Sequence, residues 1–302
     1  MSANFKAGFV AVVGQPNVGK STLLNRLMGQ PLAAVSPKPQ TTRRNQLGIL
    51  TTEEAQLVFV DTPGLHQEHN KLGALMNEQA QFALQDADVV LFLVDAAHSP
   101  QAEDRQLAER LAARRRKAPL VLAINKVDLL SSEQLAARRA EYEALVEAHS
   151  VFEISAAQGA GVDALLAHLQ GLLPEGQPFY PAEQVTDLYE REITADLIRA
   201  AAMQLLREEV PHGIDVRIDQ FTERGESGAH IEATIFVERD SHKGIVVGKG
   251  GAMIKQIGQA ARKEIEAMSE RKVFLELRVK VRPNWRNDEK SLKQFGYTRR
   301  ME

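Results

Sequence analysis

No cysteine occurs among the 302 residues, which excludes a disulfide framework, a cysteine nucleophile and any thiolate metal site. A reducing cytoplasm is compatible with that absence. No apolar run approaches the roughly 20 residues that cross a bilayer, and Met1 to Gly8 lack the basic head and long apolar stretch of a secretory signal. The expectation is a cytoplasmic protein without an integral membrane segment. What is present is ordinary: 44% apolar and 25% charged residues suit a globular protein rather than a disordered or fibrous one. The length exceeds that at which one hydrophobic core stops growing, so two domains are expected.

The net charge of −3 argues against a polyanion partner, but its distribution is uneven. Lys243 to Lys263 carries five Lys/Arg and no acid, and Arg271 to Arg300 carries ten Lys/Arg against three acids. The remainder is strongly acidic. A basic carboxy-terminal part on an acidic body suggests nucleic acid or an anionic lipid surface for the former.

Along the first half, short apolar runs alternate with helical patterns. Phe9–Val13, Leu57–Val60, Val89–Val94, Leu120–Ile124 and Val151–Ile154 read as strands buried on both faces. Residues 20–28, 71–84, 101–115, 132–149 and 162–172 repeat their apolar positions at helical spacing. Regular alternation predicts an α/β, mostly parallel, doubly wound sheet. Three prolines and a glycine in residues 174–181 then stop any element. We therefore expect a first domain over 1–174, a linker over 175–186 and a second domain over 187–302. The latter reads as α+β: a helix at 187–209, strands at 214–221 and 229–237, a glycine turn, a helix at 252–268 and a last strand at 273–281.

The chemistry lies in loops. Gly14-Gln15-Pro16-Asn17-Val18-Gly19-Lys20-Ser21 follows a strand and opens a helix, the setting of a phosphate-binding P-loop. Its glycines let the backbone N–H groups turn inward, and the helix terminus adds positive potential. Lys20 would reach the β- and γ-phosphates and Ser21 would ligate Mg²⁺. In Asn125-Lys126-Val127-Asp128, at the end of a strand, the Asp128 carboxylate can accept from N1–H and the 2-amino group of guanine, a pair that adenine does not offer. Asn125 would tie this loop to the P-loop, the stem of Lys126 would cover the base, and a backbone N–H of Ser155-Ala156-Ala157 would meet guanine O6. Asp61-Thr62-Pro63-Gly64 ends another strand: Asp61 would hold Mg²⁺ through water, and the Gly64 N–H would sense the γ-phosphate. In Pro39-Gln40-Thr41-Thr42-Arg43 one threonine hydroxyl, Thr42 in preference to Thr41, would complete the Mg²⁺ shell while the γ-phosphate is present.

These five segments together resemble the translation-factor-like class of P-loop GTPases over roughly Phe5 to Leu173. The resemblance implies GTP/GDP as the nucleotide, contacted by Gly14, Asn17, Val18, Gly19, Lys20, Ser21 and Thr22 together with the three guanine-side segments. It also implies hydrolysis resting on Lys20, Thr42, Asp61, Gly64 and Asn17, since Leu65 stands where Ras-like enzymes carry the glutamine that orients water. Related GTPases without that glutamine often use K⁺ held in part by an asparagine at the place of Asn17.

In the second domain Gly248-Lys249-Gly250-Gly251 fits the GXXG loop of a KH domain, which clamps about four nucleotides of single-stranded RNA. Lys249 and Lys255 supply charge beside it. A GTPase domain followed by a type II KH domain is similar to the Era family of bacterial ribosome-assembly GTPases. Residues 17–25, 39–43, 61–66 and 246–251 carry that likeness. It implies binding near the 3′ end of 16S rRNA and a role in maturing the 30S subunit. The alternative is a regulatory GTPase peripheral to the cell membrane, its basic C-terminal surface on anionic lipid. His66 and His69 read as loop histidines, without the partners of a metal site. Trp285 and Phe295 read as packing of the tail onto its own domain ahead of base stacking.

Overall fold

A computed structural model describes residues 4–30, 42–63, 70–114, 118–223 and 228–297. Thr41, Gly64, Leu65, His66 and His69 lie outside these residues. The chain divides into two compact units: among the described residues, 4–29, 42–63 and 76–187 form the first, and residues 188–297 with residues 70–75, which include the start of the helix Lys71–Asp86, the second.

The first unit contains β1 (Lys6–Val13), α1 (Lys20–Met28), β2 (Gln46–Thr51), β3 (Ala55–Asp61), α2 (Lys71–Asp86), β4 (Val89–Asp95), α3 (Ala102–Ala112), β5 (Leu120–Asn125), α4 (Ser132–Glu143), β6 (Ser150–Ile154) and α5 (Val162–Leu172). Six strands form one sheet in the order β2-β3-β1-β4-β5-β6. Among the described residues only β2 runs antiparallel, against β3. Alternate residues of each parallel strand feed opposite cores, so both faces must be apolar. Val10, Val12, Leu57, Phe59, Leu91 and Leu93 pack with Leu23 and Leu24 of α1 and Leu165 and Leu169 of α5. Ala11, Val13, Val90, Phe92, Leu122 and Ile124 face the other way, onto Leu107 and Leu111 of α3 and Tyr142 of α4. The strand order reverses direction at β1, so the crevice where α/β sheets bind ligands opens at its carboxyl end.

The strand β2 is absent from the sequence reading. Its pattern, Gln-Leu-Gly-Ile-Leu-Thr, is neither a continuous apolar run nor a clean alternation. Gly48 breaks it for a packing reason: a Cβ there would come within 3.3 Å of Leu24 Cδ2 on α1. As an edge strand, β2 presents unpaired backbone groups, and the proline-rich segment after α5 covers them. Ile49 N–H donates to Val185 O at 2.9 Å. Gln56 anchors the same segment, receiving Phe179 N–H at 2.7 Å and Tyr180 N–H at 3.0 Å and donating to Tyr180 O at 2.9 Å. Residues 175–187 therefore pack with the first unit.

The second unit runs α6 (Glu190–Leu205), β7 (Asp215–Glu223), β8 (Ala229–Val237), α7 (Asp240–Val247), α8 (Ala252–Ser269), β9 (Val273–Val281) and α9 (Glu289–Gln294). Its sheet is β7-β8-β9, with β7 antiparallel and β9 parallel to β8. The α6 helix stops at Leu206, which turns extended, and Pro211 follows in a short 3₁₀ turn; the expected helix to 209 is cut short there. Ile257, Ala261 and Ile265 form the buried stripe of α8. Trp285 is fully buried, donates its Nε1–H to Gly213 O at 2.9 Å, and meets Phe295 edge to face at 5.2 Å. The tail aromatics are core, and base stacking by Trp285 is excluded by that burial.

Candidate nucleotide and RNA sites

Each nucleotide-side loop stands at the carboxyl end of a strand. After β1 the chain turns through Gly14 into the loop and enters α1 at Gly19. A Cβ on Gly14 would stand 2.2 Å from Leu93 O, and one on Gly19, whose φ is +105°, 2.3 Å from Asn125 Nδ2. Neither position accepts a side chain. Gly19 caps α1 without a side-chain acceptor, which leaves the first-turn N–H groups facing the crevice as anion donors. Asn17 is held in the left-handed region at φ 67°, a conformation that costs energy outside glycine and is found at ligand clamps. Val18 is buried against the core, while Thr22 lies half-buried on α1 beside Ser21.

The Lys20 ammonium donates to Gly14 O at 3.0 Å and Gln15 O at 2.9 Å. Burial pulls its pKa down to about 8, opposed by the nearby Asp61 carboxylate. Burial likewise pushes the Asp61 carboxyl up, opposed by Lys20 and by hydrogen bonds from Ser21 and Thr42. Ser21 Oγ donates to Asp61 Oδ2 at 3.0 Å, Thr42 Oγ1 donates to the same atom at 3.3 Å, and the two hydroxyls lie 3.2 Å apart. Asp61 Oδ1 is buried with no hydrogen-bond partner among the described residues. Three hard oxygen donors and an orphaned carboxylate oxygen suit Mg²⁺. Thr62 secures the end of β3 by donating its hydroxyl to Val12 O at 2.8 Å.

On the base side, Asn125 is buried and bridges two loops. Its Nδ2 donates to Val18 O at 2.7 Å, and its Oδ1 accepts Ala156 N–H at 2.8 Å. Lys126 takes a left-handed φ of 67°, and its ammonium reaches Asp95 Oδ2 at 2.6 Å. Asp128 stands exposed on a 3₁₀ turn over Val127–Leu129. Ser155 is buried; its Oγ accepts Gln158 N–H at 3.1 Å, which closes the loop that carries Ala156 and Ala157. The structure therefore brings together the P-loop, Thr42, Asp61 and both guanine-side segments. Two participants escaped the sequence reading. Asp95 is a lone acid at the carboxyl end of a buried strand, a signal available in principle. Arg26, in the last turn of α1, donates its Nε to Ala156 O at 2.5 Å and Nη2 to Ala157 O; nothing in its local pattern marks it.

In the second unit Gly248–Gly251 links α7 to α8. Gly248 has φ 74°, and a Cβ there would lie 2.7 Å from Met253 N, so only glycine fits. Gly250 and Gly251 also take positive φ, but a Cβ on either meets nothing within 4 Å among the described residues. That open space, with Lys249 exposed and the α8 terminus uncapped, suits the close approach of a phosphodiester chain. Beside it a groove between α8 and β9 is lined by Ile254, Lys255, Gly258, Arg262, Leu275 and Leu277.

The fold and these two sites define a P-loop GTPase that carries a KH domain. Residues 9–126 match the family described as 50S ribosome-binding GTPase, and residues 209–286 match the KH domain. The chain is 44% identical over 294 residues to GTPase Era of Ruminiclostridium cellulolyticum, covering 97% of this chain and 98% of that protein. It is 46% identical over 300 residues to GTPase Era of Geobacter metallireducens, covering 99% and 100%. A crystal structure of Era in complex with MgGDPNP and nucleotides 1506–1542 of 16S ribosomal RNA superposes with a TM-score of 0.91 at 38% identity, covering 98% of this chain and all of that one. The chain belongs to the Era family and is a GTPase that uses GTP/GDP with Mg²⁺. Among the described residues no helix is long and apolar enough to cross a membrane.

Proposed function

We propose that this chain is a slow GTP-driven switch that binds the 3′-terminal part of 16S rRNA through its KH domain during 30S maturation. The observation that carries the nucleotide half is the meeting of Ser21, Thr42 and Asp61 on one point beneath the P-loop. The RNA half rests on the near-complete likeness to an RNA-bound relative and on the open Gly250–Gly251 edge.

In this reading the P-loop N–H groups and Lys20 hold the β- and γ-phosphates, and Ser21, Thr42 and Asp61 hold Mg²⁺ directly or through water. Bound Mg²⁺ neutralises charge that develops on the phosphate oxygens. Asp128 reads N1–H and the 2-amino group, and Asn125 keeps the two base-side loops in register with the P-loop. Water attacks the γ-phosphorus while the bond to the β–γ bridging oxygen breaks; its electron pair leaves on GDP and the water protons pass to phosphate and solvent. Leu65 cannot orient that water, so hydrolysis is slow without further help. K⁺ at Asn17 supplies such help; equal turnover in NaCl and KCl would remove this element. Gly64 is assigned the γ-phosphate contact from its motif alone.

The basic surface could serve anionic lipid as well, placing a cytoplasmic protein peripherally on the membrane. Vesicle flotation with and without rRNA separates the two uses. The central test is twofold: guanosine nucleotides should bind in strong preference to adenosine ones, and RNA crosslinked in cells should map to the 16S 3′ end. Indifference to the base, or crosslinks scattered over unrelated RNA, defeats the reading.

A further inference from the structure

The Ser155–Gly159 loop has spent almost all of its own donors. Ser155 N–H goes to Ala160 O at 2.9 Å, Ala156 N–H to Asn125 Oδ1 at 2.8 Å, Gln158 N–H to Ser155 Oγ at 3.1 Å and Gly159 N–H to Ser155 O at 2.6 Å. Within this stretch only the Ala157 N–H lacks a partner among the described residues, and Ala157 is exposed. Arg26 acts on the other side of the same peptide. Its Nε holds Ala156 O at 2.5 Å and its Nη2 holds Ala157 O.

A trans peptide sets its C=O and N–H in opposite directions. Drawing Ala156 O toward α1 therefore turns the Ala157 N–H away from α1. The guanidinium also polarises that peptide and strengthens its donor. Gly159, at φ +91°, leaves space for this, since a Cβ there would come within 2.9 Å of Arg26 Nη1.

We propose that Arg26 is a positioning residue for guanine recognition: by gripping the Ala156 and Ala157 carbonyls from α1, it presents the Ala157 N–H to the O6 of the bound base. The inference rests on the guanine reading above. It assigns to the last turn of the P-loop helix a part in base selection, besides the part its first turn takes with phosphate.

The test uses full-length protein and two ligands, GDP and 2-aminopurine riboside 5′-diphosphate, which keeps the 2-amino group but lacks O6 and, with it, the N1 proton, so that it binds more weakly to wild type and variant alike. Arg26→Ala is expected to weaken GDP about fivefold, the worth of one modest hydrogen bond, while affinity for the analogue stays at the wild-type level. Arg26→Lys, which retains charge and donors, is expected to recover part of the loss. A purely structural role would weaken both ligands equally; that result, or unchanged GDP affinity, overturns the proposal. Wild-type protein that fails to prefer GDP over ADP would instead defeat the guanine reading itself.

Discussion

Lys20 illustrates how burial prepares a single residue for its ligand. Without nucleotide, desolvation outweighs the attraction of Asp61, and the ammonium pKa falls to about 8 from the ordinary 10.5. A polyphosphate brings negative charge to the same ammonium and favours its protonated form. Binding should therefore take up protons near pH 8, where the free protein is about half deprotonated at this residue. It should take up none from Lys20 at pH 6, where the residue is already charged. Calorimetric titration of GDP without Mg²⁺ at pH 8, in buffers of different ionisation enthalpy, should show uptake of about half a proton that Lys20→Met removes. Uptake equal in wild type and variant would contradict this account.

Among the elements, α9 has the least obvious reason to exist. It is short and polar, yet its end places Phe295 against Phe236 of β8 at 4.9 Å and Trp285 at 5.2 Å. The cap is specific: Asp288 accepts Ser291 N–H at 2.9 Å and so starts the helix. Phe295→Ala should cost roughly 3 kcal/mol in this unit, as for other buried aromatic truncations. Trp285 is the sole tryptophan, so its emission reports this unit alone. The variant should shift that emission to the red at lower urea than wild type; an unchanged midpoint would show that α9 adds no stability.

Across the whole molecule, the proposal makes RNA affinity depend on the nucleotide state and on the glycine turn, which are separable. Replacing Gly250 and Gly251 by Asp introduces two carboxylates where a phosphate chain would run, at positions where a Cβ meets nothing. Binding of a 16S 3′-terminal oligonucleotide should fall at least about tenfold from repulsion and left-handed strain, with GDP affinity unchanged. Wild-type protein should hold the same RNA more tightly with a non-hydrolysable GTP analogue than with GDP. Identical RNA affinities in the two nucleotide states would defeat the switch while leaving the RNA site intact.

The sequence by itself determined the parallel α/β core, the P-loop, the Asn125–Asp128 loop at the end of β5 and the GXXG turn. Each is written in a short stretch: a two-sided apolar run, a glycine where a Cβ collides, an acid one turn beyond a strand. Edge strand β2 was hidden because an antiparallel edge needs neither a full apolar run nor alternation, and Gly48 is explained only by α1 across from it. The packing of residues 175–187 along that edge, the hold of Asp95 on Lys126 and the reach of Arg26 to the Ala156 loop were likewise invisible. They join residues far apart in the chain, and a local pattern carries no record of which distant backbone group folding will bring within hydrogen-bond range.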